Sequence, residues 1–233
     1  DKLPAWGENP IKDPTSINGE AKPEGFNLWQ EKNVISQRQE GYKVVVIMLP
    51  LGDISSHQTR KLADIAEKYV GDYVRTTVEQ NFVLRWVSES DLPALYEKLN
   101  AIGLADPGAG TIVDITACPG TDTCKLGIAS SRGLADELRQ ILTPKQWELD
   151  EAVRNLRIKI SGCFNSCGQH HIADLGFYGN SRTFKGYKVP HFQVVLGGQW
   201  TNNAGSFGLA IGAVPSKNIP MVVLKLADYY VEN

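Results

Sequence analysis

Sulfur and imidazole are scarce in this chain, which has four cysteines, four histidines and two methionines among 233 residues. So few cysteines cannot make a small disulfide scaffold, in which cross-links substitute for a core. Long apolar runs are missing too. The longest, Val44–Leu51, has eight residues and contains Pro50, against the roughly 20 that a helix needs to cross a bilayer. The opening stretch Asp1–Pro14 has no apolar segment of the signal-peptide kind, so a soluble, cytoplasmic protein is expected. The first residue is not Met, which points to a processed product or a piece of a longer chain. Charge of one sign is also lacking. Lys and Arg total 24 and Asp and Glu 26, a net of −2, so no nucleic-acid groove and no anionic membrane surface is expected. What remains is ordinary globular composition, 42% hydrophobic and 21% charged, enough for one large domain or two small ones. Function must come from a localised site.

Residues 1–40 are rich in Pro, Asn, Gly and Lys, with Trp6 and Trp29 as the large anchors. They read as an extended arm whose tryptophans pack a loop. From Gly41 the texture changes. Lys43–Pro50 is short, apolar and β-branched, hence a buried strand. Ser55 and Ser56 can cap a helix with Leu62, Ile65, Ala66 and Tyr69 on one face, stopped by Gly71. Strands are expected over Tyr73–Val78 and Phe82–Val87, with a turn at Glu79–Asn81. A second helix starts near Asp91, tolerates Pro93 in its first turn, carries Leu92, Leu95, Tyr96 and Leu99, and ends at Gly103. This β-α-β-β-α order, over 41–104, is most of a ferredoxin-like split unit. It wants a further strand, so the half-unit is expected to pair with something else.

Ala105–Gly110 marks a domain boundary. Beyond it, over 110–233, Thr111–Thr116 reads as a strand leading to Cys118. A helix follows with Leu134, Leu138, Ile141 and Leu142 on one face. Arg157–Ser161 alternates as a strand leading to Cys163. Further strands are expected at Leu175–Tyr178 and His191–Leu196, then a glycine-rich loop (Gly197–Gly208). A last helix carries Val222, Val223, Leu226, Tyr229 and Tyr230. The fold class is therefore α+β, in two parts.

The cysteines come as two tight pairs. Cys118 and Cys124 enclose five residues, Cys163 and Cys167 enclose three, and 38 residues separate the pairs. Both pairs follow a predicted strand and sit among small residues, ACPGTDTCKLG and SGCFNSCGQHH. Ends of neighbouring strands lie close, so four sulfurs could converge, with Gly120, Gly162 and Gly168 allowing close backbone approach. Loop N–H groups turned towards the sulfurs would stabilise an anionic 4Fe-4S cluster. Structural zinc competes, since four thiolates suit it, although a five-residue gap is wider than zinc knuckles usually have. Independent or redox cysteines stay open. Disulfides, for which four cysteines allow three pairings, are disfavoured by a cytoplasmic setting.

CPGTDTC, and SGCFNSCGQHH with Asn165 and Gly168 around its last cysteine, resemble the two signature segments of the sirohaem and 4Fe-4S sulfite and nitrite reductases. The β-α-β-β-α pattern resembles that family's ferredoxin-like half-repeat, and the likeness runs from about Gly41 to the C-terminus. The half-repeat and the sirohaem-binding region occur twice in a chain of that family. This sequence resembles the second, cluster-bearing half, a ferredoxin-like half-repeat followed by an α/β sirohaem and 4Fe-4S domain.

The resemblance implies that Cys118, Cys124, Cys163 and Cys167 ligate the cluster, with Cys167 also the axial ligand to sirohaem iron. It implies Asn165 beside a macrocycle carboxylate, with a simple turn role as the alternative, and leaves Lys125, Arg132, Gln169, His170 and His171 as nearby candidates for further donors, each with a solvated or turn-stabilising role as the alternative. His170 and His171, adjacent in sequence, are expected to diverge and make a poor metal pair; His57 and His191 are expected to be structural. The implied activity is six-electron reduction of sulfite to sulfide, with Pro119 tilting towards sulfite and nitrite reduction to ammonia as the alternative. A ferredoxin or flavoprotein would donate the electrons. Residues that hold the substrate oxyanion lie mainly in the family's first half, so a complementary half-repeat is expected to complete the catalyst. Two other readings stay open: a non-catalytic iron–sulfur electron-transfer module and a zinc-stabilised structural domain.

Overall fold

The computed structural model describes residues 10–17, 22–71, 73–199 and 205–232. Trp6 and part of the glycine-rich loop therefore lie outside the described residues. Two compact units emerge, one of residues 1–49 and 53–109, the other of Pro50–Gly52 with Gly110–Asn233.

The first unit contains helix α1 (Phe26–Asn33), strands β1 (Val34–Ser36) and β2 (Tyr42–Ile47), and helix α2 (Ser56–Val70). Strands β3 (Arg75–Thr76) and β4 (Phe82–Ser88) and helix α3 (Leu92–Asn100) complete it. Its sheet has the antiparallel order β1-β2-β4-β3. Three expectations are corrected. The supposed extended arm contains a helix, because Phe26 and Trp29 lie one turn apart and both are fully buried. Their rings and Tyr96 form a cluster with centroids 5.1 to 5.8 Å apart. The missing fourth strand is also supplied locally, by β1 on β2. The strand expected at 73–78 shrinks to two residues. The chain turns at Thr77–Gln80, where Gln80 has a left-handed φ of 66° and its N–H donates to Thr77 O at 3.1 Å.

Helix α2 starts as expected. Ser55 caps it in a reciprocal capping box with Gln58, and Gly71 ends it at φ 69°. The apolar faces of α2 and α3 pack with α1 onto β2 and β4 through Ile47, Leu62, Ile65, Leu84, Leu95 and Leu99. Buried Asn33 closes the unit. Its Nδ2 donates to Val46 O (3.0 Å) and Asp106 O (3.1 Å), and its Oδ1 accepts from Gly108 N (3.2 Å).

The second unit holds β5 (Thr116–Ala117), α4 (Ser131–Leu142), α5 (Glu151–Arg154) and β6 (Ile158–Ser161). Strands β7 (Leu175–Phe184), β8 (Tyr187–Leu196) and β9 (Leu209–Pro215) and helix α6 (Ile219–Glu232) follow. Its sheet runs β5-β6-β7-β8-β9, parallel across β5-β6-β7 and antiparallel beyond. The strand expected at 111–116 is only Thr116–Ala117. Upstream, the Asp114 carboxylate accepts from Gly110 N at 2.8 Å and its N–H donates to Thr111 O at 2.9 Å, a local turn that competes with strand pairing. The last helix also differs from its predicted face. Ile219, Val223 and Ala227 are buried, whereas Tyr229 and Tyr230 are exposed. The glycine-rich segment joins β8 to β9, with Gln199 bridged to Ser206.

Side chains alternate across the second sheet. One face, carrying Ile158, Ile160, Phe177, Phe192 and Val194, is buried and apolar, and α4 packs against β5 and β6. The other presents Thr116, Lys159, Ser161 and Tyr178 in register. That polar face positions the site.

Candidate metal centre

Both cysteine pairs follow the C-terminal ends of the adjacent parallel strands β5 and β6. The loops are tied directly to each other. Cys118 N–H donates to Ile160 O at 3.1 Å, and Gly162 N–H donates to Cys118 Sγ at 3.1 Å. The first loop then returns, and the N–H groups of Ile128 (2.8 Å) and Ala129 (3.0 Å) both donate to Gly162 O. Such closeness excludes side chains. A Cβ on Gly162 would meet Gly120 Cα at 2.5 Å, and one on Gly168 would collide with the Ile160 carbonyl. Ser131, buried in the first turn of α4, donates to Cys118 O at 2.7 Å and lies 3.5 Å from its sulfur.

Cys118 and Cys163 are buried, Cys124 and Cys167 are exposed, and all four are free thiols. Among the described residues, no three Cys, His, Asp or Glu side chains are grouped as a single metal ion requires. Tetrahedral zinc holds its sulfurs at about 2.3 Å, hence close to one another. A 4Fe-4S cube takes one thiolate at each of its four iron corners, a wider arrangement. The donor set, four thiols on two interlocked loops with an N–H already aimed at one sulfur, fits such a cluster.

The remaining expected site residues divide into groups. Lys125 and Asn165 are exposed. Arg132 is engaged, its Nη1 donating to Leu51 O (2.8 Å) and its Nε lying 3.2 Å from Asp122. Gln169, at φ 60°, accepts from the buried Lys159 Nζ at 3.2 Å, and Lys159 also reaches Thr116 Oγ1 at 3.3 Å. His170 is fully buried and its Nδ1 is 2.8 Å from Ser161 Oγ. Burial, with His171 beside it, pushes His170 down to about 4. The two histidines do not diverge as expected. Their ring centroids are 4.1 Å apart, because a 3-10 turn at His170–Ile172 folds them together, with His170 on Tyr178 (4.7 Å) and His171 stacked on Phe207 (5.2 Å). His191 is held by its own strand, Nδ1 against Val189 O at 2.9 Å.

Sequence reasoning missed Lys159, Ser161 and Ser131. A lysine and a serine alternating with isoleucines immediately before Cys163 were the available signal for the first two.

The nitrite/sulfite reductase ferredoxin-like half domain matches residues 35–102, and the nitrite and sulphite reductase 4Fe-4S domain matches 108–233. The chain belongs to the nitrite/sulfite reductase family. The family's enzymes are oxidoreductases, and membership implies a 4Fe-4S cluster coupled to sirohaem. A ferredoxin–nitrite reductase of Synechococcus elongatus is 28% identical over 85% of this chain and 38% of its own length. The chloroplastic ferredoxin–nitrite reductase of Betula pendula is 30% identical over 87% of this chain and 35% of its own. A ferredoxin sulfite reductase of Mycolicibacterium paratuberculosis is 30% identical over 73% and 31%. The chain thus spans well under half the length of these reductases. The solved structure of the Mycobacterium tuberculosis NirA protein superposes with a TM-score of 0.71 at 28% identity, over 84% of this chain and 37% of that one. Dissimilatory sulfite reductase I shares the fold, with a TM-score of 0.62 at 11% identity over 88% of this chain and 65% of its own. Among the described residues, no helix is long and apolar enough to cross a membrane.

Proposed function

We propose that this chain carries the cofactors of a six-electron reductase that takes electrons from ferredoxin and acts on nitrite or, as the second reading, sulfite. Ferredoxin and nitrite are supported by the names of most of the relatives, and sulfite by the mycobacterial one. The preference for sulfite expected from Pro119 gains no support from them.

The observation that carries the proposal is the bond from Gly162 N–H to Cys118 Sγ, which fixes the two cysteine loops against each other. In this reading Cys118, Cys124, Cys163 and Cys167 would hold the cluster, and Cys167 would also be the ligand to sirohaem iron. Exposure of Cys167 supports that role, because a macrocycle face can reach its sulfur without displacing core. Cys118, by contrast, is buried with a backbone donor on its sulfur, a contact that would stabilise the negative charge its sulfur shares with iron in a bound cluster. When bound, the two cofactors supply one-electron storage and the iron at which substrate is reduced. The polar face of the second sheet lies beside these loops. Lys159 there presents donors and no acceptor, suited to anionic groups of a macrocycle, and exposed Asn165 and Lys125 add donors at the rim.

The test is an absorption spectrum with iron, sulfide and zinc analysis on anaerobically purified protein. Sirohaem Soret and red bands with iron and sulfide in cluster ratio are expected. A broad thiolate-to-iron shoulder without haem bands would instead give an electron-transfer module, and a colourless zinc protein a structural domain. Turnover of nitrite against sulfite with reduced ferredoxin, measured on the complete enzyme, decides the substrate.

A further inference from the structure

His170 ends a hydrogen-bond chain that begins at the residue after Cys167. Gly168 N–H donates to Ser161 Oγ at 3.0 Å, and Ser161 Oγ lies 2.8 Å from His170 Nδ1. Two assignments of the hydrogens are conceivable. If Nδ1 carried the proton, it would donate to Ser161. The serine hydroxyl hydrogen and the bare Nε2 would then both lack partners among the described residues. If Ser161 donates to Nδ1 instead, only one group is left over, the Nε2–H. Each buried unpaired polar group is costly, so the second arrangement is favoured. Its ring is neutral near pH 7, since burial and His171 depress its protonation.

The leftover group is distinctive. His170 is 0% exposed, its Nε2 has no hydrogen-bond partner among the described residues, and rings of His171 and Tyr178 lie 4.1 and 4.7 Å from its own. Its sequence position three residues after Cys167, and the Ser161 link to Gly168, place it beside the loop that would carry the shared thiolate.

Resting on the cofactor reading above, we infer that His170 is a positioning residue whose Nε2–H is a preformed donor to an anionic acceptor of the bound cofactor pair. A cluster sulfide or ligating thiolate, and a sirohaem carboxylate, are the two sources of that acceptor. Ser161 fixes the tautomer, and the sheet beneath fixes the ring.

The test compares the cofactor-loaded parent with His170→Phe, which keeps a ring and removes the donor, and His170→Gln, which restores an N–H. The reading on which this rests is checked first. A parent without cluster and haem bands defeats the proposed function, whatever the variants do. With both present, the cluster's potential is followed by EPR-monitored titration and haem loss by absorbance. A negative shift of the cluster potential in His170→Phe, largely recovered in His170→Gln with haem loss unchanged, places the acceptor on the cluster. Haem loss at least tenfold faster in His170→Phe and recovered in His170→Gln, with the potential unmoved, places it on a carboxylate. No change in either quantity, or the same change in both variants, overturns the inference. Should His170→Phe not fold, solid-state NMR of the parent labelled with 15N-histidine reads the tautomer directly. An Nε2–H ring with that nitrogen hydrogen-bonded supports the inference, and an Nδ1–H ring overturns it.

Discussion

The backbone N–H of Gly162 points at the sulfur of Cys118 across 3.1 Å, joining the first loop of cysteines to the second before any iron is considered. The contact depends on bare backbone on both sides. Gly162 and Gly120 approach so closely that a methyl group cannot stand between them, and the Gly162 carbonyl receives two N–H groups from the returning first loop. Rigid loops hold ligands in place without relying on the cluster for their shape.

Gly162→Ala is accordingly a steric substitution. Its Cβ would lie 2.5 Å from Gly120 Cα and 3.0 Å from Ala129 O, both backbone atoms that cannot swing aside. Overpacking of this kind costs about 1–3 kcal/mol. The expected result is a lower urea midpoint at unchanged slope and weaker cluster retention. An unchanged midpoint would mean the loops are not packed as described.

Cys118 and Cys167 occupy different environments, buried with a donor on the sulfur and exposed at the outer loop. If Cys167 is the shared ligand, Cys167→Ser shifts the haem bands together with the cluster signal. Cys118→Ser acts on the cluster EPR signal first, with haem bands following only as the cluster is lost. Absorption and EPR spectra of the two folded variants separate these patterns, and identical loss of both cofactors in each counts against the bridging role.

Trp29 tests the first unit. It is fully buried beside Phe26 and Tyr96 in a segment whose composition reads as an arm. Trp29→Ala should cost about 3–5 kcal/mol, read from chemical denaturation. A cost near zero would return residues 26–33 to the status of a loosely attached segment.

These cases show what was legible in the sequence. Helices α2 and α3 were readable because cap, stripe and stop agree locally: Ser55, then Leu62 to Tyr69, then Gly71. The cysteine pairs were readable because their spacing is chemical information that needs no tertiary context. Helix α1 was not, since its two aromatic anchors are covered by Tyr96, some seventy residues later, and polar neighbours hide the period. The strand before Cys118 was overread because an apolar alternation says nothing of Asp114, whose carboxylate closes a turn onto Gly110. The burial of Lys159 and His170 was invisible for a related reason. It follows from β6 lying between β5 and β7 under the second cysteine loop, a pairing no local pattern records.

His170 also makes stability depend on pH, and the sign follows from its environment. Its folded value of about 4 lies below the ordinary histidine value of 6.5, so between the two the unfolded chain binds a proton that the folded chain refuses. The contribution is therefore whole above pH 6.5 and is lost as pH falls through that window towards 4. A difference of this size corresponds to about 3 kcal/mol in total, of which about 2 kcal/mol should disappear between pH 7 and pH 5. Urea midpoints at those two pH values check it, with His170→Phe as the comparison, because phenylalanine fills similar space and carries no titrating nitrogen. The parent should lose more stability than the variant on acidification. Parallel losses would show that the acid sensitivity resides elsewhere and that the imidazole takes up its proton as readily in the folded protein as in the unfolded chain.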